Sequence, residues 1–249
     1  YPNAKFFIYS TSNMEMLEKL RNKELDFVIL QYPIFLNEQT FKELVSFVDN
    51  YFMNTIADLS PQVVWKNFYA LTQIPRPSKF ELEAAKYICE FGEKLGLESF
   101  QDEIGNVIIR KPATPGMEDR MGIILQAHID MVPQKNNDVE HDFKKDPIKP
   151  RIVGNMVYAT GTTLGADNGL GCAVAMAVLE SKDMVHGPIE VLITIDEETG
   201  MTGARALKPG VIKGDILINL DSETEGELYV GCAGGLDCSA VFNYTTEAV

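Results

Sequence analysis

The chain has few features of a secreted, membrane-spanning or nucleic-acid-binding protein. Its four cysteines, Cys89, Cys172, Cys232 and Cys238, form no CxxC pair, and no positively charged start leads into an apolar secretory segment. A reduced, cytoplasmic setting fits that pattern. No run approaches the roughly 18 consecutive apolar residues of a membrane span. Basic residues are scarce, 22 against 36 acidic, for a formal charge of −14. Such a surface repels phosphate backbones and anionic lipid, which argues against nucleic acid or membrane as a partner. Internal repeats and low-complexity tracts are missing as well. The first residue is Tyr1 rather than Met, and CSAVFNYTTEAV stops in what reads as a strand, so the chain is expected to be a piece of something longer.

Against these absences stands an ordinary globular composition, 45% hydrophobic and 23% charged over 249 residues, enough to bury a sizeable core. Three apolar runs end on acids or a histidine. GIILQAHID reaches His128 and Asp130, EVLITIDEE reaches Asp196, Glu197 and Glu198, and DILINLDSE reaches Asp221. Short Ile/Val/Leu runs with no alternating polar face read as strands buried on both sides, as in a parallel sheet covered by helices. Parallel strands bring their carboxyl ends to one edge, where open α/β sheets bind ligands. One imidazole and several carboxylates would meet there, a donor set suited to more than one divalent cation.

The rest of the chain divides around these runs. Residues 1 to about 54 read as a small β-α-β-α segment without His or an acid cluster, and KLRNKELDFVILQYPIF weakly resembles the closing strand and helix of periplasmic-binding-type sugar-sensing domains. A new helical unit starts near Leu59-Ser60-Pro61, with Ser60 as cap and Pro61 at the first helical position. A second amphipathic helix, KFELEAAKYICEFGEKLG, closes at Gly96. QDEIGNVIIRKP reads as a hairpin turning at Gly105-Asn106, and a long polar connection runs from about Gln134 to Asn155. GTTLGADNGLG then opens the helix GCAVAMAVLESKD, in which Cys172 is a buried packing residue rather than a nucleophile.

Each candidate group has a plain reading beside a chemical one. His128 and Asp130, two apart in extended chain, can share a face, and a carboxylate beside a ligating imidazole fixes its tautomer; HxD alone also fits a structural histidine. GTTLGADNGLG lacks the Gly-Lys-Ser/Thr ending of a phosphate loop, and no strand leads directly into a GxGxxG, so nucleotide binding is not expected. Asp167 within it is either a helix N-cap or a carboxylate bridging two cations, with glycines letting the backbone approach an ion. In DEETG, Glu198 can bind metal while Glu197 stays unligated as a general base; an acidic solvated turn is the plain alternative. Asp221 ends the third strand, whereas Glu223, Glu225 and Glu227 read as exposed loop charges.

Taken together, AHIDMVPQKN, TGTTLGADNGLGCAVAMA, ITIDEETGMTGA and NLDSETEGELYVGCAGG resemble the aminoacylhistidine (Xaa-His) dipeptidases, within the broader group of two-zinc peptidases and deacylases. The resemblance covers about Thr55 to Val249. It implies an α/β catalytic domain with a mostly parallel mixed sheet and helices on both faces, incomplete at its C-terminus, over residues 55–233, and the start of a lid and dimerisation domain over 234–249. It further implies two zinc ions, one held by His128, Asp167 and Asp221 and the other by Asp167 and Glu198. Glu197 would be the general base and Asp130 the partner that orients His128. The family's further His ligand lies beyond the last residue here, and neither His141 nor His186 takes its place. Small peptides would be the substrate and a homodimer the state of the full-length enzyme. A related deacylase or aminopeptidase, an inactive remnant and a binding module are the competing expectations.

Overall fold

The computed structural model describes residues 55–222, 224, 226–231, 234 and 238–246. The expected β-α-β-α segment over 1–54, and the charges at Glu223 and Glu225, lie outside the described residues.

A five-stranded mixed sheet organises the chain, in the order β1 (Glu98–Gln101), β2 (Val107–Lys111), β6 (Ile189–Thr194), β3 (Ile123–His128), β7 (Ile216–Asn219). β1 and β2 form the expected hairpin, and β2 runs antiparallel to β6. β6, β3 and β7 are mutually parallel. These three are the acid-terminated runs, so their carboxyl ends share one edge as anticipated. Alternation along the strands sorts the core into two layers. Val107, Ile109, Leu125, Ala127, Val191 and Ile193 meet α2 (Leu82–Lys94) and α3 (Ala166–Glu180) on one face. Ile108, Ile124 and Leu192 on the other face meet Leu207, Val211 and Ile212, which follow α5 (Thr202–Ala206). Each fully buried aliphatic side chain contributes about 1.5–3 kcal/mol.

Local chemistry explains where the elements begin and end. α2 closes in a Schellman turn, with the Leu97 N–H donating to the Gly92 carbonyl and the Gly96 N–H to that of Glu93, Gly96 taking φ +75°. Ser60 does not cap α1 (Gln62–Thr72). Pro61 occupies the N-cap with no side-chain bond, and the capping box sits one turn earlier, where Thr55 and Asp58 close the 3-10 turn Ile56–Asp58. α3 begins five residues before the expected GCAVAMAVLESKD helix and stops at Glu180. Its N-cap is Gly165 rather than Asp167, and Asp167 and Asn168 depart from helical geometry. α3 is apolar all round because it lies between the sheet and α1, with Phe68 of α1 against Ala173 and Leu170.

Three further expectations fail. β7 is exposed along its length, with Leu217 at 51%, whereas β6 is buried throughout. Among the described residues β7 pairs only with β3 and nothing covers it. The polar connection from 134 to 155 holds part of an unforeseen hairpin, β4 (Pro150–Val153) with β5 (Met156–Ala159), turning at Gly154 with φ +62°. Residues 238–246, read as a strand, form no regular element. Among the described residues no helix is long and apolar enough to cross a membrane.

Candidate metal centre

Strand register brings the acids together. His128 is the last residue of β3 and pairs with Thr194 of β6, while Gln126 pairs with Asn219 of β7, so Asp221 stands level with His128. The short helix α4 (Glu197–Gly200) follows β6 at once. Asp167 arrives from the irregular first turn of α3, which packs against β3.

His128 is 1% exposed. Its Nε2 lies 3.0 Å from Asp167 Oδ1, 3.7 Å from Asp221 Oδ2 and 4.0 Å from Glu197 Oε2. Its Nδ1 faces Asp130, 3.2 Å from Oδ1 and 3.1 Å from the backbone carbonyl. Candidate ligand atoms of His128, Asp167 and Glu198 all fall within 4.8 Å of one another. All six residues singled out from the sequence are thus gathered at one sheet edge. With metal to nitrogen or oxygen bonds of about 2.0–2.2 Å, two donors on a tetrahedral ion sit roughly 3.4 Å apart. The 3.0 and 3.7 Å separations bracket that value, so these donors fit a divalent cation with small adjustments.

The acids fall into two kinds. Asp130 is fully buried and saturated by protein donors, with Oδ1 accepting from the Glu197 N–H (3.0 Å) and Oδ2 from the Glu198 N–H (3.2 Å) and the Ser78 hydroxyl (2.8 Å). It therefore caps α4 across space while orienting His128. Asp167 is 51% exposed and Glu197 32%, leaving carboxylate oxygens open to a ligand.

Electrostatics follow this layout. Burial disfavours a charged His128, but the hydrogen bond and charge of Asp130, then Asp221 and Asp167, outweigh it and push the imidazole up to about 9. Burial works against the Asp130 charge too, yet His128, the Glu197 N–H and Ser78 hold it below the usual carboxylate range. Burial and the neighbouring Asp167 raise Glu198; burial raises Asp221 against the pull of His128. These like charges crowded at one edge favour a cation. The Cys172 thiol, fully buried, is pushed up to about 12 by desolvation and donates to the His128 carbonyl, as a packing residue does.

Several supporting residues were not apparent from the sequence. Asn168 donates to the Leu220 carbonyl and to Asp221 Oδ1, tying the Asp167 turn to the end of β7. Asn106 is fully buried; it accepts from the Ile195 N–H and donates to the Gly203 carbonyl, bracing the DEETG turn. Asp196 sits at φ +49° and accepts from the Thr199 and Thr202 hydroxyls, so the first acid of that motif is structural. Only the adjacency of Asn168 to Asp167 and of Asn106 to a glycine turn hinted at any of this.

Residues 124–242 match the peptidase family M20/M25/M40, a span that starts inside β3 and takes in every acid described above. Over that span the chain is similar to this peptidase family. The cytosol non-specific dipeptidase of Escherichia coli (strain K12) is 53% identical over 197 residues, covering 79% of this chain and 41% of that protein. The aminoacylhistidine dipeptidase of Vibrio alginolyticus superposes with a TM-score of 0.71 at 58% identity, over 73% of this chain and 37% of that one. The aminopeptidase PepT of Bacillus cereus ATCC 10987 superposes with a TM-score of 0.56 at 29% identity, over 67% of this chain and 44% of its own. The chain spans about two-fifths of the length of the M20-type dipeptidases it resembles. The likeness read from the four motifs is borne out, as is the mixed α/β fold.

Proposed function

We propose that this chain carries the metal-binding part of a dipeptidase that hydrolyses Xaa-His-type dipeptides, with residues 55–233 as catalytic domain and 234–249 as the start of a lid. The observation that carries the reading is the buried His128 with Asp167 and Asp221 at 3.0 and 3.7 Å from one nitrogen. The substrate class rests on the likeness to the aminoacylhistidine dipeptidase of Vibrio, and a cytosolic setting on that to the cytosol dipeptidase of Escherichia.

In this reading His128, Asp167 and Asp221 would hold one zinc ion, and Asp167 and Glu198 a second. A divalent metal bound there would supply Lewis acidity toward water and the scissile carbonyl. The chain's own residues do the rest. Asp130 fixes the tautomer that leaves His128 Nε2 free to bind. Glu197, its carboxylate a third exposed and accepting no protein hydrogen bond among the described residues, would take the proton from attacking water and deliver it to the leaving amine. No Ser or Cys nucleophile is needed, and Cys172 is buried and protonated.

Assay of Xaa-His dipeptides beside N-acyl amino acids and tripeptides, with and without a chelator, tests the reading. Chelator-sensitive release of histidine supports it. Turnover of the N-acyl compounds or tripeptides alone assigns the centre to a deacylase or to an aminopeptidase like the Bacillus relative. Zinc binding with no turnover of any of them by a folded chain of the relatives' full length means an inactive remnant.

A further inference from the structure

A cation lies beneath the acids. Arg76, between Pro75 and Pro77, is 1% exposed, and its guanidinium is permanently charged with donors in a rigid fork. A buried charge of this kind is costly unless its donors are engaged. Its partners are backbone carbonyls. Nη1 donates to the Ile129 carbonyl at 2.7 Å and more distantly to that of Asp130 at 3.5 Å, and Nη2 donates to the Gly165 carbonyl at 2.5 Å. Those acceptors belong to the two segments that must meet. Ile129 follows His128, and Gly165 stands two residues before Asp167. The Arg76 segment itself is anchored to the same strand end, since the Met131 N–H donates to the Arg76 carbonyl and Ser78 donates to Asp130.

Two glycines of GTTLGADNGLG fit this cation. A Cβ on Gly165 would stand 2.6 Å from Arg76 Nη2, and one on Gly169 2.5 Å from the same atom. Gly171 makes room for Asn168 instead, whose Oδ1 would lie 2.1 Å from a Cβ there. Two of these glycines therefore admit a guanidinium.

We propose that Arg76 is a positioning residue that fastens the turn bearing Asp167 to the strand end bearing His128 and Asp130, and thereby sets the spacing of the metal donors. The proposal rests on the reading of the site as a metal centre. It makes a directional claim, because deleting a positive charge near the site should by electrostatics alone tighten cation binding, whereas loss of the clamp should weaken it.

The test is Zn²⁺ affinity of the 249-residue chain, read by competition with a chromophoric chelator, with folding followed by circular dichroism. Arg76→Met is expected to weaken Zn²⁺ binding about ten-fold or more, the scale of losses when groups that orient ligands are removed. Arg76→Lys, which keeps the charge but not the fork, should recover part of it. Arg110→Met serves as control: Arg110 braces Glu98, Glu190 and the Val211 carbonyl away from the site, so its loss should lower stability and leave affinity within about two-fold. Gly169→Ala, which keeps every charge and displaces the guanidinium, decides the matter should Arg76→Met not fold. Its affinity is expected to fall, and an unchanged value overturns the proposal. Equal or tighter binding by folded Arg76→Met overturns this proposal alone; absence of Zn²⁺ binding by the unaltered chain overturns the metal-centre reading and this one with it.

Discussion

Asp130 and Asp167 are both aspartates within hydrogen-bonding reach of the same imidazole, on opposite nitrogens, yet they live in opposite surroundings. Asp130 is buried and every oxygen is taken by a protein donor; Asp167 is half exposed, and its Oδ1 faces His128 Nε2. An acid whose acceptor capacity is spent inside the protein can only orient. One with oxygen to spare can ligate. The contrast separates support from ligand without reference to any relative, and it puts Glu197, Glu198 and Asp221 on the ligand-facing side with Asp167.

The sharpest way to break the contrast is to exchange the consequences of the two acids. Asp167→Ala should abolish tight cation binding, lowering affinity by more than ~100-fold, with little loss of stability because the side chain is half exposed; titration calorimetry and thermal melts on one sample read both. Asp130→Ala should do the reverse in kind. It strands the Glu197 and Glu198 N–H groups and the Ser78 hydroxyl, so stability should fall by about 2–3 kcal/mol, and cation affinity by about 10–100-fold as His128 loses its orienting partner. A fall in affinity with no change in denaturant midpoint would contradict the supporting role.

Glu197→Gln probes the ligand-facing acids among themselves. In a catalytically competent form, kcat should drop about 10²–10⁴-fold, the usual worth of a general base, while cation affinity stays within about three-fold. Normal turnover would remove Glu197 from that role.

The paired imidazole adds a pH dependence. His128 titrates near 9 in the metal-free fold against an ordinary value of 6.5. Its folded pKa is raised, so the stability it confers is fully present below about 6.5 and is lost as pH climbs through about 9, a contribution of order 3 kcal/mol at most. Denaturant melts of the metal-free chain from pH 6 to 10 should show the decline, and His128→Gln should flatten it. The smallest effect belongs to the exposed edge. Ile218→Thr on β7 should change stability by no more than about 0.5 kcal/mol, whereas Ile193→Thr on buried β6 should cost several times that.

The same comparison explains what could be read from residues alone. GIILQAHID, EVLITIDEE and DILINLDSE announced their strands because apolar runs ending on acids carry both the fold and the site in one stretch, and register then brought His128 level with Asp221. Composition reports that a strand such as DILINLDSE can be buried, and among the described residues nothing packs over it. Arg76, Asn106 and Asn168 escaped notice for a different reason. Each acts through backbone carbonyls or amides of segments distant in sequence, and such partners have no side-chain identity to form a motif. The glycines at 165 and 169 were visible, but the guanidinium that requires them lies about ninety residues earlier.

The most direct measurement is anomalous diffraction at the zinc absorption edge from crystals of this chain soaked in Zn²⁺. The expected result is density within about 2.0–2.2 Å of His128 Nε2 and of an Asp167 oxygen, with Asp130 unligated behind the imidazole. Zinc bound only at His141 or His186, or absent from the edge formed by β3, β6 and β7, would contradict the account.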